Sequence, residues 1–305
     1  MTLEQEAKLW TSLSTNDRYA TFNDLPNELV NMIGEFLETQ TQLSMIRACV
    51  HAHRVISRLL YRTVKLSKHR ARRFFVTILS GSASSHHYPT YVTALEYSAT
   101  NLSDAHLTFP LLTHALLALS KLRSLSLNVP TSASSFLLYL MDRDGIIRTA
   151  SSLFKTIRPI VDTAKLVVPY NLSSLSSLCV DGNISLVSIS RYRPLKELEI
   201  KDVIDFHDLS VITEYLTTGH GKKNQILERL SIDVDTDTND EISYCLLGLA
   251  STFPLLKSLE FKAVHINALV RPYSSLWLPL TYHLPIRQFP NYFQKALFCL
   301  KILKY

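Results

Sequence analysis

The stretch Leu122-Arg123-Ser124-Leu125-Ser126-Leu127 sets the architecture of this 305-residue chain, because its pattern recurs along the sequence. The pattern is Leu-x-x-Leu-x-apolar, and an apolar residue at every second position is typical of a strand with one buried face. Four further copies and one looser copy predict further strands. They are Leu175–Val180, Leu195–Ile200, Leu227–Ile232 and Leu256–Phe261, and the looser copy is Val92–Tyr97.

Helical patterns lie between these predicted strands. They cover Leu111–Leu119, Phe136–Met141, Ile146–Ile157, Leu209–Leu216 and Ile242–Leu249. Measured between their middle leucines, most copies are 20 to 32 residues apart, and one interval is 53 residues long. Strand and helix alternating at this period are typical of a solenoid with a parallel sheet on one face. The long interval has room for one degenerate copy, near Leu166–Val168.

Polar residues alternate with the leucines of each phrase and are expected to point outward from the sheet. This outward set mixes acids, bases and hydroxyls, which favours a surface for a protein or peptide partner; the alternative is a solvated face with no partner. The candidate target-binding residues are Ser124, Ser126, Glu197, Glu199, Arg229, Ser231 and Glu260.

Residues 21–64 have a different, helical pattern. Pro26 suits the first helical position, and Glu28 complements the positive end of that helix. The spacing of Leu29, Ile33, Phe36 and Leu37 predicts one apolar stripe. Two more short helices are predicted, one through Leu43, Ile46 and Val50 and one through Val55, Ile56, Leu59 and Leu60.

The stretch from Thr21 to Leu37, Thr-Phe-Asn-Asp-Leu-Pro-Asn-Glu-Leu-Val-Asn-Met-Ile-Gly-Glu-Phe-Leu, resembles the opening of an F-box, particularly in fungal members where a leucine-rich solenoid follows. The resemblance implies docking on the Skp adaptor of cullin-RING ubiquitin ligases, with Leu25, Pro26 and Leu29 as anchors. The alternative is that Leu25, Leu29, Ile33 and Leu37 are the core of a small helical cap on the solenoid. The implied adaptor-binding residues are Leu25, Pro26, Glu28, Leu29, Ile33 and Leu37.

The expected fold class is α/β, with a small three-helix F-box-like domain followed by an irregular leucine-rich-repeat-like solenoid. The expected divisions are an N-terminal lead at 1–20, the F-box-like domain at 21–64 and the solenoid at 65–268. Residues 269–305 hold no further phrase, so they are expected to form an irregular segment that is either a cap or a truncated repeat.

Composition narrows the class of protein. The chain has 32 Lys and Arg against 26 Asp and Glu, a net charge of +6, and 47% hydrophobic residues, which is typical of an ordered globular chain. The acidic start and the lack of a long apolar run argue against a signal sequence and a membrane span. Four separated cysteines without a C-x-x-C pair indicate reduced thiols in the cytoplasm or nucleus.

Four short motifs resemble ligand sites but lack residues that such sites require. The Gly219–Lys223 stretch lacks the remaining residues of a phosphate-binding loop, and the Asp233–Asp237 stretch lacks the Gly and Glu of a calcium loop. The His51–His53 and His86–His87 pairs have no further metal ligand at suitable spacing. No catalytic residue pattern is found, so we expect no enzyme activity, no cofactor and no metal.

A basic cluster, formed by Lys65, Lys68, Arg70, Arg72 and Arg73, precedes apolar residues at helical spacing. This pattern favours the solvated face of a helix; the alternative is a nuclear-localisation or nucleic-acid patch.

The favoured function is substrate recognition for a Skp-cullin-F-box ubiquitin ligase, with the adaptor, a cullin held through it and a protein substrate as partners, and no membrane. One alternative is an F-box scaffold that acts outside ubiquitin transfer. The other is a solenoid that binds nucleic acid, a partner that the sequence favours less than a protein.

Overall fold

The leucine phrases form neighbouring strands of one sheet in the computed structural model of the chain. The structure describes residues 22–80, 88–99, 102–147, 171–191, 193–217, 226–235, 246, 248–249 and 251–264. The order of the seven strands in the sheet is their order in the chain. The strands are β1 (Thr63–Ser67), β2 (Ala94–Ser98), β3 (Ser124–Asn128), β4 (Ser177–Asp181), β5 (Glu197–Ile204), β6 (Arg229–Asp235) and β7 (Ser258–Val264).

Seven α-helices lie completely within the described residues. They are α1 (Asn27–Phe36), α2 (Thr39–Ala48), α3 (Val50–Arg62), α4 (Lys68–Ser80), α5 (Leu102–Ala118), α6 (Thr131–Arg143) and α7 (Phe206–Thr217). The chain is thus a mixed α/β protein with a seven-stranded parallel sheet. It divides into an N-terminal unit, which ends at Thr63, and a C-terminal unit, which begins at Val64.

The register of the sheet explains the leucine phrase. The middle leucines are paired from strand to strand, so Leu125 lies between Leu95 and Leu178, and the row continues to Leu259 on β7. The last residue of each phrase forms a second row in the same way, and every residue in both rows is at most 2% exposed. Repeating one apolar pattern therefore builds two continuous buried rows across the sheet.

The helices between the strands supply the other side of this core. An aromatic chain joins α4, β2, α5 and α6, with ring centroids of Phe75, Tyr97, Phe109 and Phe136 about 6 Å apart at each step (5.9, 6.2 and 6.1 Å). The hydroxyls of Tyr97 and Thr108 are 2.6 Å apart, which satisfies two buried polar groups. The predicted strands are all confirmed, as are the helices within α5, α6 and α7.

Two expectations were wrong, and one strand was not predicted. Strand β1 was not predicted and starts directly after α3, and Val50, placed in the second helix, starts α3 instead. Strand β3 pairs directly with β4 across the 53-residue interval. The helix expected from Ile146 does not start there, because Gly145 follows α6 with a φ of +75° and the two isoleucines after it are not helical.

Other expectations concern residues outside those described. They are the possible copy near Leu166–Val168, residues 148–157 of one predicted helix, most of the helix at 242–249, the lead at 1–20 and the segment at 269–305.

Candidate functional site

A row of large apolar side chains lies exposed along α1. Leu29, Met32, Ile33 and Phe36 are 44%, 53%, 39% and 85% exposed. Their spacing of i, i+3, i+4 and i+7 places them on one side of the helix. We call these four residues the α1 row. Apolar side chains that are grouped on one helix face and left in water are the usual mark of a surface that another helix or groove covers.

The opposite side of α1 explains why this row points outward. The residues of α1 that are buried are small, Val30 and Gly34. A Cβ at Gly34 would lie 2.8 Å from Cδ1 of Leu59 on α3, so the two helices approach closely there. A glycine suits this contact because a larger residue would require the Leu59 side chain to shift, and the bulky apolar residues of α1 lie on its outer side.

The core of the N-terminal unit is small. Val30, Ala52, Val55 and Ile56 form its buried centre, and half-buried side chains pack around it: Phe22, Leu25, Met45, Ile46 and Cys49. So small a core covers only part of the apolar surface of three helices. The exposed α1 row follows from this limit.

The structure separates the six F-box-matching residues into two groups. Pro26, Glu28, Leu29 and Ile33 are exposed, whereas Leu25 and Leu37 are half-buried. Leu25 is half-buried and packs against the core of the N-terminal unit. Leu37 lies just beyond the end of α1 in an extended conformation, so the predicted stripe is wrong in this member. Met32, which the stripe omitted, belongs to the exposed row.

Pro26 is the N-cap of α1 instead of its first helical residue. Its carbonyl accepts hydrogen bonds from the backbone N–H groups of Leu29 and Val30, both at 3.1 Å. The C-terminal end of α1 is held by Gln42, whose side-chain amide donates to the carbonyl oxygens of Gly34 at 2.7 Å and Leu37 at 3.1 Å. A side chain therefore caps the C-terminal end of the helix that carries the row, whereas the N-terminal end has backbone hydrogen bonds alone.

An open groove of about 650 Å³ lies between α1 and α3, beside Met32. Acidic side chains line it from α1 and basic ones from α3: Glu28 and Glu35, and His51, Arg54 and Arg58. Charges of both signs next to the apolar row would help a partner to dock in one orientation.

The second candidate surface is the open face of the sheet, defined as the residues that alternate with the two buried rows. All seven candidate target-binding residues lie on it in two neighbouring rows. Ser124, Glu197 and Arg229 share the first row, and Ser126, Glu199, Ser231 and Glu260 share the second. The predicted outward direction of these residues is confirmed, because each is exposed or half-buried while the apolar residues of the two rows that alternate with it are buried.

Charges on the open face pair across the strands. Arg229 lies 3.4 Å from Glu197, and Lys65 on β1 lies 2.7 Å from Glu96 on β2. Glu96 is in register with Ser126, so the second row extends to β2. Glu96 has the same position in the looser phrase Val92–Tyr97 as Ser126 has in its phrase. This equivalence could have placed Glu96 on the open face from the sequence alone.

Cys179 lies in the middle of the second row, between Ser126 and Glu199. Burial raises the pKa of its thiol, and the nearby carboxylate of Glu199 acts in the same direction, against the opposing hydrogen bond from Ser126. A thiol with a raised pKa is protonated at neutral pH and is a poor nucleophile. On this face Cys179 is therefore suited to contact and not to covalent chemistry.

Within the described ranges, no three His, Cys, Asp or Glu side chains are grouped so that they could hold a metal ion. The same part of the chain contains no helix with the length and hydropathy needed to span a bilayer. No model of a known protein family matches the chain, and no curated protein matches it.

Proposed function

We propose that the chain is a substrate-recognition subunit of a Skp-cullin-F-box type ubiquitin ligase. The N-terminal unit acts as an F-box that docks on the Skp adaptor, and the C-terminal unit acts as a leucine-rich-repeat-like solenoid that holds a target protein. The chain catalyses nothing in this proposal. It raises the effective concentration of target lysines near the ubiquitin-charged enzyme, which is a proximity effect.

The observation that carries the proposal is the α1 row, four exposed apolar side chains on the helix that bears the F-box-like sequence. An apolar helix face gains free energy when a partner covers it, at about 25 cal/mol per Å² of apolar area. A helical cap that served only the core of this chain would direct its bulky residues inward. The N-terminal unit instead buries Val30 and leaves Phe36 outside.

We assign the target to the open face of the sheet because its rows present charged and hydroxyl side chains at a regular spacing from strand to strand. Parallel sheets are usually covered on both faces. Here one face bears Glu199 and Arg229 in exposed positions. Such a face suits a polar protein segment that hydrogen-bonds across several strands.

The docking step is tested by replacing the two most exposed members of the row, Met32→Ala with Phe36→Ala. We expect binding to the Skp adaptor to weaken at least tenfold, because truncating an interface anchor costs roughly 1 kcal/mol or more. The measurement is co-purification of the full chain with the adaptor, followed by titration of the purified pair. These two positions are preferable to Leu25, whose side chain also supports the core.

A matched control removes similar apolar area from the C-terminal unit. Leu107 and Leu255 are 61% and 55% exposed, so Leu107→Ala with Leu255→Ala should leave adaptor binding unchanged. Adaptor that is recovered together with cullin supports the ligase role, and adaptor recovered without cullin points to an F-box scaffold that acts outside ubiquitin transfer. Equal adaptor binding by the α1 variant and the wild-type chain would show that α1 is not the docking surface.

A further inference from the structure

A long stretch of the sequence contains no acidic residue. Residues 39–95 hold nine Lys and Arg and no Asp or Glu. The other 23 Lys and Arg share the remainder of the chain with all 26 acidic residues, which leaves that remainder with a net charge of −3. The positive charge of the protein is thus concentrated in one segment, which includes α4.

The first two turns of α4 present four of these cations, Lys68, Arg70, Arg72 and Arg73, which we call the α4 cluster. All four side chains are exposed. In the described part of the structure, none of them lies within ion-pair distance of a carboxylate. Other cations of the C-terminal unit do have such partners; Lys65 pairs with Glu96, and Lys257 pairs with Glu228.

The position of the cluster on its helix is unfavourable for stability. The N-terminal end of a helix carries partial positive charge, so cations there are repelled by the helix as well as by one another. The first turn of α4 contains no acidic residue that would offset this. Lys68 also has a φ of +49°, a backbone conformation that residues other than glycine rarely adopt. An arrangement that costs stability and gains nothing inside the fold is expected where a ligand supplies the missing negative charge.

The chemistry of the cluster favours phosphate groups. Three of its four members are arginines, which bind phosphate oxygens through two parallel hydrogen bonds. The cluster spans about 7 Å along the helix at 1.5 Å per residue. A nucleic-acid duplex carries one phosphate charge per roughly 1.7 Å of its axis, so several of these side chains can each reach a phosphate at once.

The other side of α4 argues against insertion into a bilayer. A helix that binds a membrane surface places its apolar face among the lipids. The buried apolar face of α4 is formed by Ala71, Phe75 and Ile78, all fully buried in the core of the C-terminal unit, and Val76 is a single exposed apolar residue on this helix. That face is not available without unfolding.

We propose that the α4 cluster binds the phosphate backbone of a nucleic acid, without preference for base sequence. The residues of this site differ from those of the α1 row and of the open face, so the proposal does not depend on the ligase role. It would let a recognition subunit act on targets that are themselves bound to nucleic acid.

The test is fluorescence anisotropy of labelled 20-nucleotide single strands and 20-base-pair duplexes of mixed sequence, titrated with the full chain at several salt concentrations. We expect binding that weakens with salt. The variant Arg70→Gln/Arg72→Gln/Arg73→Gln should bind at least tenfold more weakly at about 50 mM salt and reduce the slope of log K against log salt by about 2 to 3, since each phosphate contact contributes roughly 0.7 to 0.9.

A matched control removes three other exposed cations, Lys121→Gln/Arg123→Gln/Lys196→Gln. It should retain wild-type affinity. The melting temperature of the α4 variant should equal or exceed that of the wild type, because the repulsion at the helix end is relieved; this shows that lost binding is not lost folding. Adaptor co-purification should be unaffected in both variants.

The proposal is overturned if the wild-type chain does not bind either oligonucleotide at 50 mM salt, or if the control variant loses as much affinity as the α4 variant. It is also overturned if the cluster retains the chain on vesicles containing about 30% phosphatidylserine while no oligonucleotide binds, since the partner would then be an anionic membrane surface.

Discussion

Gly182, directly after β4, is a position where no other residue fits. Its φ is +106°, and a Cβ built there would lie 1.9 Å from the carbonyl oxygen of Val129. The obstacle is backbone, which cannot rotate away as a side chain can. Thr131 fixes the same turn, because its hydroxyl donates a hydrogen bond of 2.7 Å to the carbonyl oxygen of Gly182. The sequence shows a glycine here but not the neighbouring strand that makes it necessary.

Gly182→Ala should lower the free energy of unfolding by about 3 kcal/mol or more, since strain at positive φ adds to the backbone clash. Gly145→Ala is the control, because Gly145 also has a positive φ, +75°, but nothing lies within 4 Å of the added Cβ. Its cost should be near 1 kcal/mol. Urea denaturation of the two variants measures both values, and equal losses would contradict the contact with Val129.

Arg193 is a second residue whose role has no sequence signal. It is buried, and its guanidinium donates hydrogen bonds to the carbonyl oxygens of Ile146 at 2.6 Å, Asn171 at 3.1 Å and Ile189. Burial lowers the pKa of Arg193 to about 10, so it remains protonated at neutral pH. One side chain thus satisfies carbonyl groups from three separate parts of the chain, which a buried charge requires.

At the scale of elements, α5 and the end of α6 are joined through Asp144. Its carboxylate accepts hydrogen bonds from the hydroxyl of Thr113 on α5 at 2.7 Å and from Nε of Arg143 at 2.8 Å. Its side chain is only 11% exposed. Partial burial raises the pKa of Asp144, but the hydrogen bonds from Arg143 and Thr113 outweigh it and hold the pKa below its ordinary value.

A carboxyl with a lowered pKa in the folded state stabilises the fold above its unfolded pKa, and the contribution is lost as the pH falls through the folded value. The wild type should therefore be more stable than Asp144→Asn at pH 7, and the difference should shrink as the pH falls below about 4. Urea denaturation of both proteins from pH 7 to pH 3 measures this. A difference that stays constant over that range would contradict the assigned ionic role.

At the scale of the whole molecule, the surfaces differ in their charge, and the open face carries both signs. The cations of the α4 cluster are exposed without acidic partners among the described residues, whereas Glu199 and Glu260 lie together in one row of the open face. The chain therefore offers surfaces of different chemistry, the apolar α1 row, the open face and the basic α4 cluster. Partners can be separated experimentally by changing one surface at a time.

The role of the open face as the target site belongs to this scale, because its rows cross several strands. Glu199→Lys should abolish capture of the target while leaving the adaptor bound, since the reversed charge lies at the centre of the second row. Glu214→Lys on α7 is the matched control, as Glu214 is also exposed and lies outside the sheet. Quantitative mass spectrometry of proteins captured with each variant measures the effect. Proteins lost equally from both variants, or from neither, would contradict this assignment.

The alternation of leucines was enough to predict the strands β2 to β7 and the residues on their open face. A strand has a side-chain period of two, so a local pattern already states which residues are buried. The same reasoning predicted that Ser126 and Glu199 share a face, and the register confirms that they lie in one row.

Contacts between residues far apart in the chain could not be predicted from the sequence, and the tertiary structure alone shows them. Apolar residues occur on both sides of α1, so its pattern could not tell which side would be buried; in the fold, the side with Val30 and Gly34 is buried, and Gly34 faces Leu59. Direct pairing of β3 with β4 across 53 residues has no local signal either. Periodicity shows the faces of one helix or strand. Which of two apolar helix faces is buried depends on the space that the neighbouring helix leaves for side chains. Which two strands pair depends on the backbone hydrogen bonds that a distant part of the chain provides.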